Sequence, residues 1–223
     1  NPCQNRHMPF FMHRIFLSLI LGFLTLTLRA ENPSLTLSLS TGEIPLADAV
    51  ASLMPLDFAP PPNTAKQAVI AQENKEYDPY VTAVRVGTEA VFPNRDSVQH
   101  HLYSVSKPKR FEKPLYASGA SESVRFDKTG VITLGCNIHD WMVAYVLVLP
   151  TPWFVKTGAD GIAVLQGMPP GRYQLEIWHP RLRKPISREI TLGSDTNLAE
   201  SISLKLNRDR RIRRAPTGRS GGY

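Results

Sequence analysis

The sequence predicts an all-β protein made of two β-sandwich units, and three observations carry that expectation. Short apolar runs recur between turn residues across residues 67–149. Apolar and polar residues alternate at Leu35, Leu37 and Leu39, and another alternating stretch covers residues 173–178. Two Pro-rich punctuations, Ala59-Pro60-Pro61-Pro62-Asn63-Thr64 and Pro150-Thr151-Pro152, cut the chain into parts. Period-two alternation marks a strand with one buried face, and closely spaced turn signals mark an antiparallel sandwich. At 223 residues, 42% apolar and 20% charged, the chain is ordinary globular material with room for one large domain or two small ones.

Taken in order, residues 35–40 form a strand and Thr41-Gly42-Glu43 a turn. Residues 47–53 return as a second strand, although composition also admits a short helix at 47–54. Residues 31–60 thus read as an N-terminal hairpin. The stretch 67–150 forms one unit, with strand-like runs at 68–71, 81–86, 90–92, 102–105, 123–126, 131–134 and 143–149. Residues 151–206 form a smaller β unit: Asp160-Gly161 turns, 163–165 is apolar, Pro169-Pro170-Gly171 turns, and strands follow at 173–178, 187–192 and 201–206. Residues 207–223, rich in Arg and Gly without apolar periodicity, read as a disordered tail.

The formal charge of +7 would suit a nucleic-acid ligand, but its placement argues otherwise. Residues 1–30 hold three Arg and no acid, and residues 207–223 hold six Arg against Asp209. The body between them has 17 basic and 18 acidic residues, so no basic surface is expected there and nucleic acid is excluded as a partner. Met12-His13-Arg14, an apolar run over 15–28 and Ala30 have the parts of a secretory signal, with Met8 or Met12 as the start. The run is shorter than the ~20 residues a spanning helix requires, so stable membrane insertion is not expected after cleavage. Export to the periplasm then leaves Cys136 without a disulfide partner, because Cys3 lies in the removed segment.

Gly135-Cys136-Asn137-Ile138-His139-Asp140-Trp141-Met142 carries the chemistry. A thiolate, an imidazole and a thioether stand at Cys-x2-His-x2-Met spacing between two strand-like runs. Soft sulfur together with imidazole favours copper over magnesium or calcium, and Cys-His-His with a weak Met is a blue-copper ligand set. Zinc also accepts Cys and His but has no use for Met. The set needs a second His, which His100-His101 supplies. Trp141 is expected near the mouth of the site, while His179 in Trp178-His179-Pro180 reads as structural.

These residues resemble the cupredoxins: the Cys136, His139, Met142 spacing is similar to amicyanin and the run from Phe92 to His100 to plastocyanin. Val91-Phe92-Pro93-Asn94, His100-His101-Leu102-Tyr103-Ser104, Leu134-Gly135-Cys136-Asn137-Ile138-His139-Asp140 and Trp178-His179-Pro180 also resemble exported bacterial proteins labelled methylamine utilization proteins. The resemblance implies a Greek-key sandwich over 67–150 holding one copper ion on His100, Cys136, His139 and Met142. It further implies that Asn94, His101 and Asn137 support those ligands, His101 by a hydrogen bond joining the two ligand loops. His139 and Trp141 would form the surface through which electrons pass. Gln99 and His101 depart from the family, which usually has Pro and Asn there. Residues 157–173 resemble the second half of carboxypeptidase-regulatory-like sandwiches and 35–53 the first half, so the copper unit would be inserted into that module.

The expected function is single-electron transport between redox partners, a cytochrome c or a dehydrogenase, without catalysis. Copper buffering or delivery, and a structural β-sandwich role, are the alternatives.

Overall fold

The computed structural model describes residues 32–64 and 67–209. The expected signal at 1–30 and the tail beyond Asp209 lie outside the described residues. The chain is all-β, and among the described residues no helix is long and apolar enough to cross a membrane.

The strands in chain order are β1 (Ser34–Thr41), β2 (Ile44–Pro45), β3 (Val50–Pro55), β4 (Gln67–Val69), β5 (Ala71–Glu73), β6 (Glu76–Asp78), β7 (Val81–Arg85), β8 (Thr88–Pro93) and β9 (His100–Ser104). They continue with β10 (Phe111–Tyr116), β11 (Ser121–Phe126), β12 (Gly130–Gly135), β13 (Val143–Leu149), β14 (Phe154–Lys156), β15 (Ile162–Leu165), β16 (Gly171–Trp178), β17 (Ile186–Leu192) and β18 (Asn197–Ser203).

One sandwich combines both ends of the described chain. Its first sheet runs β15-β1-β18, with β2 at the end of β1, and its second runs β14-β3-β16-β17. Leu35, Leu37 and Leu39 point inward from β1 and meet Ala51 and Leu53 of β3 and Tyr173, Leu175 and Ile177 of β16. The hairpin expected at 31–60 closes only over β1 and the two residues of β2. β3 instead crosses to the facing sheet, because Asp48 turns the chain with a positive φ of 61° and Thr157 fastens residues 46–49 to the C-terminal segment. The short helix that composition allowed at 47–54 does not form. β18 begins four residues before the expected 201 and lies parallel to β1.

The middle of the chain builds a second sandwich from the sheets β10-β9-β12-β13-β7 and β11-β8-β4, with the β5–β6 hairpin beside them. Phe92, Phe126, Leu102, Ile132 and Leu134 are fully buried in its core; each such side chain contributes roughly 1.5–3 kcal/mol. β10 escaped the sequence reading because Glu112, Lys113 and Pro114 separate Phe111 from Leu115 and Tyr116, so the strand shows no period-two alternation. It is an edge strand whose register shifts at Pro114, where a missing N–H is tolerated.

The two crossings between sandwiches lie side by side. The buried Arg85 guanidinium donates to Pro62 O at 3.0 Å and to Pro150 O at 3.2 Å, and Thr151 Oγ1 donates to Leu53 O at 2.7 Å. Val50, Val81, Leu147, Leu149 and Trp178 form a small apolar cluster between the units.

Candidate metal centre

Two loops at one end of the middle sandwich converge. The loop joining β12 to β13 carries Cys136, His139 and Met142, and the loop joining β8 to β9 delivers His100 as the first residue of β9. Met142 N donates to His139 O at 2.9 Å, a tight turn that sends the chain back into the core, where Met142 is 1% exposed in the same apolar cluster as Cys136.

Cys136 Sγ lies 4.0 Å from His100 Nδ1 and 3.9 Å from His139 Nδ1, and the three donor atoms lie within 4.8 Å of one another. Separations near 4 Å are what N and S ligands adopt when each stands ~2.0–2.3 Å from a shared ion. Cys136 is a free, buried thiol, His100 is fully buried, and His139 is half-buried with its ring against Trp141. A soft S,N,N set in an apolar pocket with a thioether in the same core suits copper, and its S,N,N part also suits zinc.

Neighbouring residues in a strand face opposite sides, which separates the adjacent histidines. His100 faces Cys136, whereas His101 Nε2 pairs with Glu112 Oε1 at 2.9 Å and its ring packs on Tyr103. His101 therefore does not join the ligand loops as the family resemblance implied, and its Nδ1 meets no hydrogen-bonding group among the described residues. That joining falls to Tyr77, whose hydroxyl donates to Gly135 O at 2.9 Å and lies 3.4 Å from His101 O. Burial, against a smaller opposing effect of the Gln72 hydrogen bond, pushes the Tyr77 phenol well above its ordinary value, so it stays a neutral donor. Glu76-Tyr77-Asp78 has no apolar run or metal-ligand spacing to mark it.

Asn94 is buried and shapes the loop that leads to His100. Its amide donates to Val98 O at 2.8 Å and Tyr116 O at 3.2 Å, and its Oδ1 accepts from Asp96 N. The chain turns outward after Cys136 and exposes both Asn137 and Ile138. His179 is buried away from this cluster and accepts from Arg181 N at 3.1 Å.

Asp96 is the other residue that sequence reasoning missed. Its Oδ2 lies 2.7 Å from His100 Nε2 and accepts from Lys75 N at 2.8 Å. Burial pushes the Asp96 carboxyl up, but the Lys75 N–H, together with the His100 hydrogen bond and charge, holds it below the usual carboxylate value. Four residues before a candidate ligand His, an Asp was a readable signal.

No family model matches the chain, and no curated protein matches it. Solved structures do. A purple cupredoxin from Nitrosopumilus maritimus is similar at 28% identity over 37% of this chain and 99% of its own, with a TM-score of 0.34. A Cu(I) form of an amicyanin variant is similar at 20% identity over 37% of this chain and 82% of its own, with a TM-score of 0.35.

Proposed function

We propose that this chain is an exported mononuclear copper protein that carries single electrons between redox proteins. The observation that carries the reading is the convergence of Cys136 Sγ, His100 Nδ1 and His139 Nδ1 within 4.8 Å, with Met142 buried in the same core cluster as Cys136. Copper would supply the one-electron Cu(II)/Cu(I) couple, with Cys136 as thiolate, the two imidazoles as nitrogen donors and Met142 as a weak fourth ligand. Phe92, Leu102 and Leu134, all fully buried, pack the surrounding core and limit rearrangement of the ligands. His139 is the ligand nearest solvent, flanked by half-buried Trp141 and exposed Ile138, so its edge is where a protein partner would exchange the electron. A periplasmic cytochrome c or dehydrogenase is the partner class this reading carries forward.

Copper buffering or delivery calls for ligands that can be handed over, and the burial of His100 and Met142 disfavours it. Anaerobic redox titration of the copper-loaded protein separates the readings. A carrier gives one reversible one-electron wave with copper retained in both states; release of copper on oxidation or reduction would refute the carrier reading.

A further inference from the structure

The β5–β6 turn touches the support of both imidazoles. Asn74 and Lys75 have φ of 57° and 58°, so the two-residue turn has the tight primed form that suits a hairpin. The Lys75 N–H donates to Asp96 Oδ2, the same oxygen that lies 2.7 Å from His100 Nε2. On its other side the Lys75 carbonyl accepts from Trp141 Nε1 at 2.9 Å, and Trp141 packs on His139 with ring centroids 5.3 Å apart. Arg95 N donates to Gln72 O at 2.8 Å, which fastens β5 to the same loop as Asp96. One residue, Lys75, thus lies between the residue that holds His100 and the residue that flanks His139, its N–H bonded on one side and its carbonyl on the other.

We propose that the Asn74–Lys75 turn is a bracket for the two imidazoles, with Asp96 as the positioning residue for His100 and Trp141 as the positioning residue for His139. The inference rests on the metal-site reading for its consequence but not for its geometry. A carboxylate at Nε2 keeps the proton on that nitrogen and turns the Nδ1 lone pair toward Cys136, and it makes the imidazole a stronger donor. Trp141 packs against the half-buried ring at an interplanar angle of 55°, and its N–H fixes the indole to the same turn.

The test uses the full chain, first without metal. Nitrogen-15 NMR of the neutral imidazoles should show His100 in the Nε2–H tautomer in the wild type, retained in Asp96→Asn, whose amide oxygen can still accept. Asp96→Ala should give a mixture of tautomers. Trp141→Phe keeps a ring but loses the bond to Lys75, and should move the resonances of Lys75 N–H and His100 Nε2 as well as those of His139.

With copper added, Asp96→Ala should lose about 10–100-fold in Cu(II) affinity, the range for outer partners of ligating histidines. Asp96→Asn, nearly the same shape without the charge, should lose less while keeping the wild-type melting temperature. A tenfold loss for Cu(II) alone reads as a rise of about 59 mV in reduction potential. An unchanged His100 tautomer in Asp96→Ala, or unchanged Cu(II) affinity and potential in Asp96→Asn, overturns the role of Asp96. Unmoved His100 resonances in Trp141→Phe overturn the bracket. A wild type that takes up no copper refutes the proposed function alone, because the metal-free tautomer still decides the positioning.

Discussion

Gly135, the residue before Cys136, has no room for a side chain. A Cβ there would stand 2.7 Å from Tyr103 Cζ and 2.9 Å from Tyr103 Cε1 and Oη, well inside ordinary contact. Gly135→Ala must therefore push the Tyr103 ring aside by several tenths of an ångström, and that ring leans on His101, which is held by Glu112. Inserting a methyl into a packed site costs about 1–3 kcal/mol, which for a chain of this size is about 2–12 °C in melting temperature. All three clashing atoms belong to one ring, so Tyr103→Ala removes the clash. In that background Gly135→Ala should cost nothing or stabilise slightly, by about 0.4–1 kcal/mol, through the restricted unfolded chain. The assay is a double-mutant cycle of urea unfolding on the metal-free protein, with an expected coupling of at least about 1 kcal/mol. Equal costs for Gly135→Ala in both backgrounds would refute the steric account.

Met142→Leu should fold within about 1.5 kcal/mol of the wild type, since the exchange nearly conserves volume in a site that is 1% exposed. By losing a donor to Cu(II) it should keep copper while raising the reduction potential; cyclic voltammetry decides, and complete loss of copper would contradict a weak axial role. Arg85→Met strips two carbonyls at the crossings of their charged donor, so the urea midpoint should fall by the equivalent of about 1.5–3 kcal/mol, and an unchanged midpoint would show that the crossings need no tie. The Arg172 side chain and its backbone N–H hold the Asp57 carboxyl below its usual value. The stabilisation is then present above the unfolded carboxylate pKa and lost as pH falls through the folded one. Asp57→Asn should flatten that acid limb, and an identical stability profile against pH would rule the coupling out.

Much of this architecture could be read from the chain because burial leaves period-two traces. Leu35, Leu37 and Leu39 alternate inward on β1, and they pair through β1 with β15 and β18 across more than one hundred intervening residues. What escaped was polar by nature. The β5–β6 hairpin turns through Glu73-Asn74-Lys75-Glu76, and β10 is an edge strand interrupted by Pro114, so neither leaves a period-two apolar trace. The same holds at the site. Cys136, His139 and Met142 stand close in sequence and were visible as a spacing, whereas Tyr77 and Asp96 act through single hydrogen bonds made possible only by the fold. Strand alternation sets His101 on the opposite face from His100 but says nothing about its partner, and Glu112 comes from a strand the sequence did not announce.

The most direct test of the central claim is the visible absorption spectrum of the protein loaded with Cu(II), compared with that of Cys136→Ser. Thiolate ligation by Cys136 should give an intense sulfur-to-copper charge-transfer band in the wild type that vanishes in the variant. A copper-loaded wild type without that band, or a band that survives Cys136→Ser, would contradict the account.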